Sequence, residues 1–280
     1  MNYVKTVFLL VLMTGILMWI GRIIGGANGV IIAFLFAMLI NGVSYWYSDK
    51  IVLKMYKAKE LPREKYADLY HTVESLSKNA KIPCPKIWSA DINAPNAFAT
   101  GRDPEHGALC LTKGVMRLLD EEELAGVISH ELAHIANRDT LVMCITAALA
   151  STIMMLANMA RWTAFFGGYS RGRKNSGNLI GVLALSILAP VAALLVQMAI
   201  SRSREYSADA GGAIIAGNSQ GLASALKKLS NFSKQYKFNA APATSHLFIV
   251  RPISVGFVAN LFSTHPPVEE RVRRLSRGND

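Results

Sequence analysis

Acidic residues are scarce in this chain of 280 residues: 19 Asp and Glu stand against 30 Lys and Arg, a net charge of +11. Charged residues of both signs make up only 18% of it, hydrophobic residues 51%, and the mean hydropathy is +0.27. So little charge excludes a disordered chain and argues against an ordinary soluble domain. Cysteine is nearly absent, and Cys84, Cys110 and Cys144 are odd in number and far apart. That speaks against a disulfide framework and for a reducing compartment. The chain lacks a Walker-type phosphate loop, which speaks against an intrinsic ATP-driven unfolding activity. In so apolar a chain the basic excess fits anionic lipid headgroups, and nucleic acid is not expected as a partner.

The apolar residues are gathered into runs. The first extends from Val4 to Ile20 and ends in Trp19-Ile20-Gly21-Arg22, an aromatic-then-basic edge suited to a membrane interface rather than a signal-peptide cleavage site. After Gly25-Gly26-Ala27-Asn28-Gly29, a second run from Val30 to Val43 ends in Tyr45, Trp46 and Tyr47. Two helices of about 20 residues match a hydrocarbon core of about 30 Å, which predicts an N-terminal transmembrane hairpin over 1–48. Two weaker runs, Leu141 to Ala160 and Leu179 to Ile200, form a second hydrophobic pair over 141–200. Lys50, Lys54, Lys57, Lys59, Arg63 and Lys65 follow the first hairpin, and the positive-inside bias puts them in the cytoplasm.

Between the hairpins, 49–140 reads as an α/β unit. Helical spacing runs from Leu61 to Ala80, and Lys86–Ala90, Ala97–Thr100 and Ala108–Leu111 read as short strands. Asp120 followed by three glutamates marks a capped helix start. That helix carries His130-Glu131-Leu132-Ala133-His134. Histidines four apart leave one helical face one turn apart and can hold one metal ion, with Glu131 beside them to act on a metal-bound water. A catalytic zinc site needs a third protein ligand. The best candidate is Glu205, on a helix that continues the fourth run. Asp209 lies one turn further, where it can orient a ligand histidine. Spacing alone equally allows a solvated Arg/Glu/Asp face there. Arg271, Arg273, Arg274 and Arg277 read as a basic helix, a solvated or lipid-facing surface.

As a set, His130-Glu-Leu-Ala-His134, Ser201-Arg-Ser-Arg-Glu-Tyr-Ser-Ala-Asp209, Asn96-Ala-Phe-Ala-Thr100 and Thr264-His265-Pro266-Pro267 resemble the HtpX family of membrane-embedded zinc metalloproteases. The resemblance covers essentially the whole chain. It implies an α+β fold: a mainly helical integral membrane protein with a zincin-like catalytic domain containing a small β-sheet. The domain is completed by the glutamate helix and C-terminal region over 201–280. It implies one Zn2+ held by His130, His134 and Glu205, with Glu131 catalytic and Asp209 behind a ligand. Asn96, Ala97 and Phe98 would form a substrate-facing edge. His265 resembles a transition-state partner, or orders a proline turn.

The implied activity is hydrolysis of misfolded or damaged membrane proteins at the cytoplasmic face of a bacterial inner membrane, with the bilayer and polypeptide substrates as partners. The competing readings are a specialised processing protease, like the CaaX prenyl-protein enzymes, and a non-enzymatic zinc-stabilised scaffold. If the catalytic helix ran unbroken into the third run, the metal would lie about 10 Å from the membrane surface. Lys237 to Ser263 reads as a lid or a packed loop.

Overall fold

The computed structural model describes residues 2–167, 202–235 and 266–277. The fourth apolar run, the lid candidate and His265 lie outside these residues. The first element, α1 (Asn2–Met55), is two helical arms joined at Gly25 and Gly26, the second broken again at Tyr47, where φ is -121° and ψ 18°. Gly26 has φ 59°, a left-handed conformation that glycine adopts without strain. Asn41 donates across the hairpin to Thr14 Oγ1 at 2.9 Å and to the Leu10 carbonyl at 3.3 Å. The second arm, Gly25–Tyr47, has 23 residues and is long and apolar enough to cross a membrane. Ile31, Ile32, Leu35 and Leu39 on it are each at least 60% exposed, an apolar surface that the described protein leaves uncovered. The first arm, Thr6–Arg22, is apolar but shorter.

Four short strands make one sheet: β1 (Lys59–Glu60), β2 (Lys86–Ala90), β3 (Ala97–Thr100) and β4 (Ala108–Thr112), in the order β1-β2-β4-β3. Only the central β2–β4 pair is parallel; β1 and β3 are antiparallel edge strands. The expected helix over 61–80 begins later. Leu61 N–H is bonded to the Ile87 carbonyl, so it prolongs the β1 pairing, and α2 spans Ala67–Asn79.

Successive residues of the sheet point to opposite faces. Ile87, Ala97, Ala99, Leu109 and Leu111 enter one core with α2. They are joined there by α4 (Glu121–Ala136), α6 (Arg202–Ala216), α7 (Gln220–Gln235) and α8 (Val268–Arg277). A short helix, α3 (Lys113–Leu118), links β4 to α4. Ala90, Phe98, Ala108 and Cys110 enter a second core with Val52 and Leu53 of α1 and Cys144 and Ala147 of α5 (Asp139–Gly167). On the same helix, interleaved with these, Leu141, Val142, Ile145, Leu149 and Ile153 pack against Leu9, Met13, Leu17 and Ala37 of the hairpin. The third apolar run therefore ties the hairpin to the sheet.

The unbroken passage from catalytic helix into the third run does not form. α4 ends with Asn137 in the right-handed region, Arg138 reverses at φ 58°, and Asp139 begins α5 at 88° to α4. The spacing of about 10 Å expected from a continuous helix therefore does not follow on the α4 side of the site.

Candidate metal centre

The site is built on α4. Asp120 accepts from the Glu123 N–H at 3.0 Å, and Glu123 accepts from the Asp120 N–H at 3.1 Å, closing the expected capping box. Glu123 also takes Ser224 Oγ and Lys228 Nζ, each at 2.6 Å, which fastens α7 to the start of α4. On the other flank α6 approaches closely because residue 212 is glycine. A Cβ there would meet the His130 N at 2.9 Å. This close packing brings the side chains of Glu205 and Asp209 to the two histidines.

His130, His134 and Glu205 are all buried, and each presents a ligand atom within 4.8 Å of the others. His130 Nε2 lies 3.9 Å from Glu205 Oε2 and His134 Nε2 lies 3.6 Å from Glu205 Oε1. Bonds of about 2.0–2.1 Å in tetrahedral array put nitrogen and oxygen ligands about 3.4 Å apart, so the donors need only a small contraction around one ion. Each histidine turns its other nitrogen to a carboxylate: His130 Nδ1 lies 3.0 Å from Asp209 Oδ1, and His134 Nδ1 lies 3.2 Å from Asp139 Oδ2. That arrangement turns both Nε2 atoms toward Glu205, and His130 Nε2 also lies 3.4 Å from Arg271 Nη2.

Glu131, on the same turn, is 6% exposed, and its Oε2 accepts from the Ala99 N–H of β3 at 2.8 Å. Burial raises its carboxyl pKa above the usual range, against the opposing fields of both histidines. Burial would lower the His134 pKa, but the Asp139 hydrogen bond and the charges of Glu205 and Glu131 carry it up to about 9 in the metal-free protein.

Arg271 corrects the sequence expectation. It is fully buried rather than part of a basic surface. Its Nε and Nη2 grip both Asp209 oxygens at 2.8 and 2.6 Å, and its Nη1 lies 3.7 Å from Glu205 Oε2. Burial alone would raise the Asp209 pKa, but this guanidinium and His130 hold it down at about 2. The signal was present, because Val268, Arg271, Val272 and Leu275 share one stripe of α8, and an arginine in an apolar stripe calls for a buried partner. Asp139 was also missed. It sits five residues after His134, beyond a helix break that periodicity did not reveal. With both histidines neutral, as metal ligands must be, Glu131, Asp139, Glu205 and Asp209 face Arg204 and Arg271, an excess of two negative charges that one divalent cation would neutralise.

β3 is the sheet edge nearest Glu131, but its residues are not open. Asn96, Ala97 and Phe98 are each at most 1% exposed; Asn96 is bonded to Thr112 through both backbone groups, and Phe98 packs on Tyr56 at 4.8 Å. The backbone that faces away from β4, at Ala97 and Ala99, is buried as well, at 0% and 2% exposure, and the Ala99 N–H is already given to Glu131.

The sequence profile of peptidase family M48 matches residues 63–278, which hold the whole site. A protein of Desulforapulum autotrophicum named Protease HtpX homolog is 52% identical over all of this chain and 91% of its own length. One of Thermococcus kodakarensis with the same name is 48% identical over 98% of this chain and 95% of its own. Among solved structures, S. mikatae Ste24p superposes with a TM-score of 0.52 at 18% identity, over 98% of this chain. The chain spans 65% of that neighbour's length, and the likeness is one of fold.

Proposed function

Because this chain belongs to peptidase family M48 and is a membrane metalloendopeptidase, we propose that it cleaves misfolded or damaged membrane proteins with one Zn2+ held by His130, His134 and Glu205. The observation that carries this reading is the buried His130–His134–Glu205 cluster with Glu131 on the same turn of α4. The donor set suits zinc: two imidazoles and one carboxylate leave a position for water. When bound, the ion would supply a Lewis acid and a water made acidic enough to react near neutral pH.

The chain's own groups do the rest. Asp209 and Asp139 fix the histidine rings, and Arg271 holds Asp209 ionised. Glu131, whose buried carboxylate has a raised proton affinity, takes a proton from the attacking water and delivers it to the leaving amine. The Ala99 N–H keeps the Glu131 carboxylate turned toward the edge of β3. A substrate strand paired along Asn96 to Phe98 would require this buried edge to open, and would then be held by backbone bonds, which tolerate many sequences. His265, directly before Pro266 and α8, is the candidate second donor to the developing oxyanion.

In this reading the N-terminal hairpin over 1–48 and the helical pair over 141–200 anchor a two-part catalytic domain, 49–140 and 201–280. The protein is a multi-pass protein of a bacterial inner membrane, its site on the cytoplasmic side. The support for that orientation is the lysine-rich segment after Tyr47.

The test uses full-length protein purified in detergent under chelation, then given zinc. Wild type should cleave an unfolded membrane protein, and Glu131→Gln should retain zinc while losing at least about a thousandfold in rate. Retained zinc without cleavage in the wild type would overturn the quality-control reading. Cleavage of a prenylated peptide alone would replace it with a specialised processing role.

A further inference from the structure

The Lys50–Lys59 segment does more than set orientation. It lines a cavity of about 730 Å³ on the far side of the sheet from the metal centre. Leu53 of α1 with Trp88, Gly107 and Ala108 supply its apolar wall, and Lys50, Lys54, Lys57, Lys59 and Lys86 supply cations. Asp49, Glu60, Glu105 and His106 complete its ionisable lining. Among the described residues, none of the five lysines forms an ion pair. With His106 neutral the lining carries a net charge of +2.

Its level along the spanning helix is set by geometry. Lys50 and Lys54 follow Tyr47 by three and seven residues, past a second break of α1 at Tyr47 itself, so they lie at most about 5 and 10 Å of helical rise beyond the end of the span. Headgroup layers extend about 5–8 Å beyond the hydrocarbon core on each side. Arg102, from the turn beside the cavity, lies 5.0 Å over the Trp46 ring and 2.6 Å from His106 Nε2, joining the cavity's rim to the aromatic belt. Ile32, Leu35, Leu39 and Val43, all exposed, line one face of the Gly25–Tyr47 helix on the other side of this level.

We propose that this cavity binds the phosphate-bearing headgroup of an anionic phospholipid, clamping the sheet to the membrane surface. The lysines take the phosphate, Leu53 and Trp88 the glyceryl and upper acyl carbons, and the carboxylates accept from headgroup hydroxyls. The site is separate from the peptidase chemistry, so its test reads binding rather than cleavage.

Full-length Glu131→Gln protein in zwitterionic detergent, protected from self-digestion, is titrated with dioctanoyl phosphatidylglycerol, dioctanoyl phosphatidylcholine or inorganic phosphate. Native mass spectrometry and thermal shift report occupancy. One phosphatidylglycerol per chain should bind, at least about tenfold tighter than phosphatidylcholine. Lys54→Gln/Lys59→Gln/Lys86→Gln should weaken it by about 100-fold, at roughly fivefold per lysine. The arginine versions of the same three changes should stay within about threefold of the parent, and Lys227→Gln/Lys234→Gln/Arg273→Gln within about twofold.

Equal binding of phosphatidylcholine would overturn the proposal, as would full competition by equimolar inorganic phosphate, which would mark a free-anion site. So would equal weakening by the distant control triple, or loss of binding in the arginine triple.

Discussion

His130 and His134 stand one turn apart on α4, yet their orienting carboxylates come from very different distances along the chain. Asp139 reaches His134 from five residues away, across the sharp turn at Arg138. Asp209 reaches His130 from a separate helix and is itself gripped by Arg271 of α8. One half of the site forms with the local fold of α4 and α5. The other exists only when α6 and α8 have both docked on α4. The two halves should therefore fail differently: the local half through metal affinity, the distant half through metal affinity and packing together.

Arg271→Ala breaks this asymmetry most severely. It leaves Asp209 and Glu205 buried without their guanidinium, which costs about 3–5 kcal/mol when one partner of a buried pair is removed. The thermal midpoint should fall by several degrees and bound zinc should drop below half an equivalent. Arg271→Lys should recover only part of both, since an ammonium cannot hold both Asp209 oxygens in a fork.

Next, Asp209→Asn should cost more than Asp139→Asn. Loss of an orienting carboxylate typically weakens metal binding 10- to 100-fold. Asp139→Asn is expected near the lower figure, read by competition with a zinc chelator. Asp209→Asn is expected near the upper one with added thermal destabilisation, because it also strands Arg271. Combined with Arg271→Gln, it should destabilise less than the sum of the two single changes. Equal effects of the two asparagine substitutions on both readouts would erase the proposed difference between the halves.

The smallest effect is a proton balance on the local side. The His134 pKa in the metal-free protein is raised to about 9, so its contribution to stability is complete below its ordinary 6.5 and disappears as pH climbs through 9. Metal-free protein should accordingly lose stability between those values. Zinc binding at pH 7.5 should release close to one proton from this residue, seen as a buffer-dependent calorimetric heat. Asp139→Asn should diminish the release.

Much of the local half was legible in the sequence, and little of the distant half. The strands 86–90 and 97–100 and the capped start of α4 follow from alternation and capping chemistry, which act within a few residues. The His130–His134 pair needs only the helical repeat. β1 was not visible: Lys59 and Glu60 are both exposed and polar, and only pairing to β2 makes them a strand. The break after α4 escaped because its reversing residue is an arginine rather than a glycine. Arg271 escaped because four arginines in the last ten residues read as a solvated surface. Only its place between Val268 and Leu275 betrays a buried role.

Zinc K-edge absorption on zinc-loaded, full-length Glu131→Gln protein, with and without the further change Glu205→Gln, tests the central assignment most directly. The account predicts two imidazole nitrogens and a carboxylate oxygen at about 2.0–2.1 Å, no sulfur, and loss of one oxygen or of the metal itself in the Glu205 variant. A sulfur at about 2.3 Å, or an unchanged spectrum without Glu205, would contradict it.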